Sequence, residues 1–351
     1  MEKQRKDNQK SQRESNIEVL RILAILGVVV LHYNNQDMGG AFGMVAPGTI
    51  NKVLLYGLES VFICGVNVFI LISGYFLCKS SKHSMLKPIQ LLVQMMLYGL
   101  GVYLLSIPLQ HRPFTVDGLW RSVVPCNWFV ILYIALYLIH PYLNMVLNGL
   151  DSAGRKRMLI IVVTVFSVWS FLTDGFADIT GQTWMGLSSV GMLGDQGGYT
   201  ITNFVMMYLI GGCIRLEEWD KKTIPVWKLL LTLAVIVCGI MLLCRYDTGI
   251  AWQYCSPLVV LEAVVSFMIF VRIPMGKNPV INRMAAASFS TYLLHSLFLP
   301  YLGIGNYVNG HPLMLLLHIV ISVIGIYLIS WAVYEIYSFV MKPIWKKVGS
   351  L

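Results

Sequence analysis

Long apolar runs follow one another along almost the whole of this 351-residue sequence. A run of about 20 apolar residues is long enough to cross the hydrocarbon core of a bilayer as a helix. Hydrophobic residues make up 57% of the chain and charged residues only 12%, whereas soluble domains carry about 25% charged residues. The sequence therefore predicts an all-α integral membrane protein, with no room for a soluble domain of ordinary size.

The apolar runs predict about ten transmembrane helices. Their approximate limits are 17–36, 51–77, 86–108, 127–147, 158–173, 200–216, 225–244, 255–272, 285–305 and 313–341. The chain then divides into a basic tail (1–16), a transmembrane domain (17–341) and a second tail (342–351). A signal peptide is a weaker interpretation of the N-terminus, because no small-residue cleavage site follows the first apolar run.

The distribution of Lys and Arg predicts which side of the membrane holds the termini. With ten spans both termini lie on one side, and if that side is the cytoplasm, 22 of the 26 Lys and Arg residues fall in cytoplasmic segments. The four outside are Lys52, Arg112, Arg121 and Arg245. Such an excess is typical of cytoplasmic loops. Topology thus explains the net charge of +9, and we expect no binding to nucleic acid.

The first apolar run, NIEVLRILAILGVVVLHYNN (16–35), contains Arg21 and His32. Eleven residues turn an α-helix by about three turns plus roughly 20°, so both side chains share a face, about 16 Å apart along the axis. Polar residues inside a membrane usually face a cavity or the bundle interior. Alternatively, Arg21 extends to the inner headgroups and His32 lies in the outer interface.

The run EVLRILAILGVVVLH resembles the first helix of the membrane acyltransferase-3 family, with its Arg and His separated by ten residues. Further similar segments follow in the family's order: GVNVFILISGYFL (65–77), NWFVILYIALYLIHPYLN (127–144), YLIGGCIRL (208–216) and SFSTYLLHS (288–296). Members of this family are bacterial proteins that O-acylate glycans. One departure is Asn67, which stands where many members carry an acidic residue.

The resemblance implies a multi-pass protein of the bacterial inner membrane that uses a cytoplasmic acyl-CoA as donor. We expect an acetyl group from acetyl-CoA, and as acceptor a hydroxyl of a capsule, exopolysaccharide or O-antigen glycan, free or lipid-linked. Beyond these substrates and membrane lipids we expect no bound cofactor and no metal. Because the chain ends about ten residues after its last predicted span, we expect it to lack the SGNH hydrolase-like domain of some members.

The same resemblance implies roles for individual residues. Arg21 would bind the donor phosphates, for which a guanidinium is well suited. His32 would be the general base or would form a covalent acyl-histidine, two routes that stay open. A histidine base needs a partner that fixes its tautomer, and Glu59 and Glu262 are the candidates by depth. The predicted pocket residues are Ser73, Trp128, Tyr292, His295 and Glu335.

Two other functional classes fit the composition. A secondary transporter or flippase of a glycan-related substrate also buries charges and breaks helices near the midplane, although the sequence contains no paired repeat halves. A membrane scaffold without catalysis would tolerate the loss of His32. The seven cysteines include no C-x-x-C pair, so the sequence predicts neither a disulfide framework nor a zinc site.

Overall fold

The computed structural model describes residues 15–80, 84–109, 113–182, 184–194 and 196–349. These residues form helices and turns, with no β-strand among them. The main helices are α1 (Ser15–Asn34), α2 (Ile50–Phe62), α3 (Gly65–Leu77), α4 (Leu86–Leu109), α5 (Trp128–Gly149), α6 (Ser152–Val163), α7 (Ser170–Thr180), α8 (Ile201–Leu216), α9 (Val226–Leu243), α10 (Pro257–Phe270), α11 (Pro279–Ala285), α12 (Ser288–Phe298) and α13 (Pro312–Val348). The prediction of an all-α membrane protein is confirmed.

Several helices begin at residues that satisfy their first backbone N–H groups. The side chains of Asn127, Asp151 and Thr200 each accept a hydrogen bond from a backbone N–H in the first turn of α5, α6 and α8. α10, α11 and α13 begin with proline, which has no N–H to satisfy. α11 and α13 are capped in addition by the side chains of Asn278 and His311. Such capping matters here because unsatisfied backbone groups are costly in lipid.

Seven helical stretches of the described chain are long and apolar enough to cross a membrane. They are Ser15–Asn34, Ile50–Leu77, Leu86–Pro108, Val116–Gly149, Ser152–Thr180, Val226–Leu243 and Pro312–Val348. The other three predicted spans correspond to α8, α10 and α12, which have 16, 14 and 11 residues. The number ten and the orientation of the termini therefore stay predictions.

The predicted tails are described only in part. The described residues do not include 1–14 of the first tail or the last two residues of the second tail. They also do not include Arg112, which was predicted to lie on the non-cytoplasmic side of the membrane. α13 continues through the start of the second tail and ends at Val348. A π-helical turn, Thr164–Trp169, connects α6 to α7, so the fifth predicted span is longer than its sequence limits.

The N-terminus of α1 is anchored to the segment between α10 and α11. The Ser15 hydroxyl donates to the carbonyl oxygen of Asn278 at 3.3 Å, and the Asn278 backbone N–H donates back to that hydroxyl at 2.6 Å. The Asn16 amide donates to the carbonyl oxygens of Val271 and Ile273, both at 3.3 Å. These bonds join positions more than 250 residues apart in the sequence. They fix the start of α1 against the segment that connects α10 to α11.

α8 lies at the centre of the bundle, and its backbone approaches that of α3 very closely. A Cβ atom added at Gly74 would overlap the carbonyl oxygen of Tyr208, and one added at Gly211 would overlap that of Leu71. Small residues allow such close approach between membrane helices. The two glycines therefore set the relative position of α3 and α8.

We expect Gly211→Ala to lower the free energy of unfolding by about 1–3 kcal/mol. The new methyl group has no space, so the helices must separate. Gly325→Ala on α13 is the matched control, since a Cβ at Gly325 meets no atom within 4 Å. Thermal unfolding in detergent, followed by size-exclusion chromatography, measures both. Equal stability of the two variants would contradict this account of the α3–α8 contact.

Candidate active site

A cavity of about 740 Å³ lies inside the bundle. Its walls come from α1, α3, α4, α5, α8 and α12, together with short connecting segments. Three residues predicted for the site line it: Arg21, Ser73 and Tyr292. The cavity is within the usual size range for sites that hold a small molecule or cofactor.

One end of the cavity, which we call the basic mouth, is formed by Arg21, Lys79, Lys87 and Arg215. All four belong to segments predicted to face the cytoplasm. Glu18 also lines the cavity and accepts a hydrogen bond from the Arg21 guanidinium at 2.6 Å, as expected for residues one helical turn apart. Four cations face one carboxylate here, so the mouth has an excess of positive charge suited to a phosphorylated ligand.

The basic mouth includes Arg215, which the sequence predicted only as one of the cytoplasmic Lys and Arg residues. Arg215 donates to the Tyr75 hydroxyl at 2.6 Å, and its guanidinium lies 4.9 Å from the centre of that ring. The Tyr75 hydroxyl in turn donates to Asp220 at 2.7 Å. The close packing of α3 and α8 brings Arg215 beside Tyr75. These contacts orient its planar guanidinium, and such a fork suits bidentate binding of phosphate.

Two histidines from distant parts of the chain stack near the other end of the cavity. The ring centres of His32 and His295 are 4.5 Å apart, and the ring planes differ by 7°. His295 is 4% exposed and His32 is half-buried. Neither ring lines the cavity. Val28 and Tyr292 do, and the two histidines follow them by one turn on α1 and α12.

The surroundings of the two rings show which ring nitrogens are free to exchange a proton with a ligand. Nδ1 of His295 lies 3.1 Å from the carbonyl oxygen of Thr291. Because a carbonyl only accepts, this nitrogen carries the proton. Nε2 of His295 and Nδ1 of His32 are both buried and have no hydrogen-bond partner among the described residues. Buried polar atoms without partners are rare in native proteins and call for an explanation such as a catalytic role.

The two carboxylates predicted to partner His32 have other neighbours. Glu59 accepts a hydrogen bond from the Asn34 amide at 2.7 Å, and Glu262 contacts the Cys64 thiol. Within the described chain neither forms a hydrogen bond with His32, whose neighbouring ring is that of His295. Their proposed partnership with His32 stays a prediction that these contacts do not support.

The predicted pocket residues fall in three different environments. The Ser73 hydroxyl bonds the carbonyl oxygen of Phe69 at 3.0 Å and lies 3.3 Å from the Tyr133 hydroxyl, both within the cavity wall. Trp128 does not line the cavity and packs instead on Tyr199, with ring centres 4.5 Å apart.

Glu335, the remaining predicted pocket residue, lies outside the cavity wall. It accepts two hydrogen bonds of 2.7 Å from Arg283 and one of 3.0 Å from the Trp331 indole. The contact with Trp331 follows from their spacing of one helical turn.

Glu335→Gln tests whether this residue belongs to the pocket. Because its contacts are with Arg283 and Trp331 on the exterior of the bundle, we expect the variant to bind and turn over the predicted acyl-CoA donor like the wild type. A donor-binding isotherm and an initial-rate measurement check this, with Arg283→Gln as the variant that removes the other half of the ion pair. A marked loss in Glu335→Gln alone would return the residue to the pocket.

Among the described residues, no group of three or more His, Cys, Asp or Glu side chains lies close enough together to hold a metal ion. The seven cysteines in these residues are free thiols.

The fold and the cavity together define a multi-pass membrane protein with an internal, basic-mouthed site. The family model described as an acyltransferase domain, Acyl_transf_3, matches residues 14–335. The chain therefore belongs to the acyltransferase-3 family and is an acyltransferase, which confirms the resemblance seen in its motifs. No curated protein and no solved structure matches the chain. Family membership favours acyl transfer over the transporter and scaffold alternatives.

Proposed function

We propose that this protein transfers an acetyl group from acetyl-CoA to a hydroxyl of a cell-surface glycan at the bacterial inner membrane. The observation that carries the proposal is the single cavity that connects the basic mouth to the edge of the histidine pair. Arg21 and His32 lie about 16 Å apart along α1. A phosphorylated carrier with a long flexible arm and a reactive end suits this separation.

The basic mouth would bind the phosphates of CoA. Arg21 and Arg215 offer planar, bidentate donors, and Lys79 and Lys87 add point charges. The apolar cavity wall, with residues such as Ile25, would accept the arm and the thioester. The donor would therefore enter from the side predicted to be cytoplasmic.

His32 would act as general base in direct transfer. It takes the proton from the acceptor hydroxyl while the hydroxyl oxygen attacks the thioester carbonyl. The C–S bond then breaks, the ester is formed, and the thiolate of CoA leaves and takes up the proton. His295, stacked on the face of His32, would be a positioning residue that holds the ring in its orientation. In the covalent route the acetyl group passes first to His32 and then to the acceptor.

The acceptor is proposed as a glycan hydroxyl, presented either by a free or by a lipid-linked sugar of a capsule, exopolysaccharide or O-antigen. The proposal follows from family membership. The exposed ring of Tyr199, which packs on the half-buried Trp128, provides in addition a flat apolar surface on which a sugar ring can stack. Beyond donor, acceptor and membrane lipids, the proposed chemistry requires no metal or bound cofactor.

Purified protein in lipid nanodiscs, incubated with acetyl-CoA labelled in the acetyl group, tests the proposal. We expect binding of the donor, release of free CoA when a membrane extract containing glycan lipids is added, and label in the glycan fraction. Label retained on the protein before acceptor is added would favour the covalent route. Absence of binding for acetyl-CoA and for longer acyl-CoA donors would contradict the proposed donor.

A further inference from the structure

Two aromatic rings line the cavity at the end furthest from the basic mouth. On α1, α5 and α12 the lining residues most distant from the mouth are Val28, Phe129 and Tyr292. The ring centres of Phe129 and Tyr292 are 5.1 Å apart. We call these two rings the aromatic end wall.

The aromatic end wall is held in position by polar and apolar contacts. The Tyr292 hydroxyl donates to Asn127 Oδ1 at 2.9 Å, and the same oxygen accepts the backbone N–H of Val130 at 3.2 Å. Asn127 therefore ties α12 to the first turn of α5, which carries Phe129. Phe129 packs in addition against Phe204, which is fully buried, with ring centres 5.7 Å apart. Both rings of the wall are thus fixed by neighbours that have little freedom to move.

The histidine pair lies beside this wall. The ring centre of Tyr292 is 6.0 Å from that of His295, which stacks on His32. A thioester that is to react near His32 must bring its carbonyl carbon up to the wall. Carbons that follow the carbonyl would then meet the rings of Phe129 and Tyr292, so little room is left for a long acyl chain.

We propose that Phe129 and Tyr292 set the upper limit on the length of the transferred acyl group. The inference rests on the proposed function and adds the specificity of its donor. Acetyl and propionyl groups fit before the wall, whereas chains of six carbons collide with it. A close-packed wall discriminates by about tenfold or more for each additional methylene. Because hexanoyl carries three methylenes more than propionyl, we expect hexanoyl-CoA to fall at least about 1,000-fold below acetyl-CoA in kcat/KM.

CoA release from acetyl-, propionyl-, butyryl- and hexanoyl-CoA by protein in nanodiscs, with the membrane extract containing glycan lipids present as acceptor, tests the proposal. In Phe129→Ala we expect the ratio of kcat/KM for hexanoyl-CoA to that for acetyl-CoA to rise at least tenfold above the wild-type ratio. Phe76→Ala is the matched control, because Phe76 lines the cavity beside Arg21 at its basic mouth. This control is expected to affect all donors in common and to leave their ratio unchanged.

Phe129→Leu serves as the second variant if the alanine variant does not fold, and we expect the same ratio to rise by a smaller factor. An unchanged ratio in a folded Phe129 variant would overturn the inference, as would a wild type that uses hexanoyl-CoA as well as acetyl-CoA. In both cases CoA release itself persists, so the proposed function survives. Failure of every donor with the wild type would overturn the proposed function and this inference together.

Discussion

His32→Gln is expected to lower kcat for CoA release by about 100- to 10,000-fold, the usual contribution of a general base. The Kd for acetyl-CoA should change little, because His32 does not line the cavity and lies one turn beyond Val28. Initial rates and equilibrium binding of labelled donor in nanodiscs separate the two effects. His140→Gln is the matched control, since His140 is a buried histidine on α5 that bonds the backbone of its own helix. A His32→Gln variant with near wild-type kcat would exclude His32 as the base.

His295 provides a sharper test of the same arrangement. His295→Phe retains an aromatic ring on the face of His32, whereas His295→Ala removes it. If His295 positions His32 by stacking, the phenylalanine variant should keep much more of kcat than the alanine variant. Equal and complete loss in both would indicate instead that a nitrogen of His295 takes part in the proton transfer.

Arg215→Gln is expected to raise the Kd for acetyl-CoA by about 10- to 150-fold, because a hydrogen bond to a charged group contributes about 1.5–3 kcal/mol. Arg21→Gln should act similarly. Arg21 already forms a direct ion pair with Glu18, whereas the Arg215 guanidinium donates to the neutral Tyr75 hydroxyl, and Asp220 lies on the far side of that hydroxyl. We therefore expect the larger effect at Arg215.

The ionic strength of the binding assay supplies a second readout. If the phosphates of CoA bind at the basic mouth, donor binding weakens as salt is added, and it does so less steeply in Arg215→Gln. Lys228→Gln is the control for general surface charge, because Lys228 is predicted to be cytoplasmic but does not line the cavity. Donor affinity that is equal in the Arg215 and Lys228 variants would exclude phosphate binding by Arg215.

The parts of the site that one helix determines could be predicted from the sequence. Arg21 and His32 share a face because the helical period and their spacing require it. The contacts of Glu18 with Arg21 and of Trp331 with Glu335 follow from the same period. No tertiary information was needed for any of these.

The parts that depend on how helices rotate and pack could not be predicted. Depth in the membrane made Glu59 a candidate partner of His32, but its bond goes to Asn34. Asn34 follows His32 by two residues and therefore points about 200° away around α1. The stack of His32 on His295, and the approach of Arg215 to the cavity, likewise require the packing of helices far apart in the sequence.

The anchoring of α1 has a consequence for the synthesis of the protein. Because Ser15 and Asn16 bond to residues between Val271 and Asn278, α1 has no final position until that much later part of the chain has been translated. During that interval Arg21 and Glu18 would lie in the membrane before the rest of their cavity exists. Their ion pair forms within one helical turn. It can therefore shield both charges before the helices that pack against α1 have been inserted. The nascent chain thus completes the wall of this cavity late, although it makes the α1 part of that wall early.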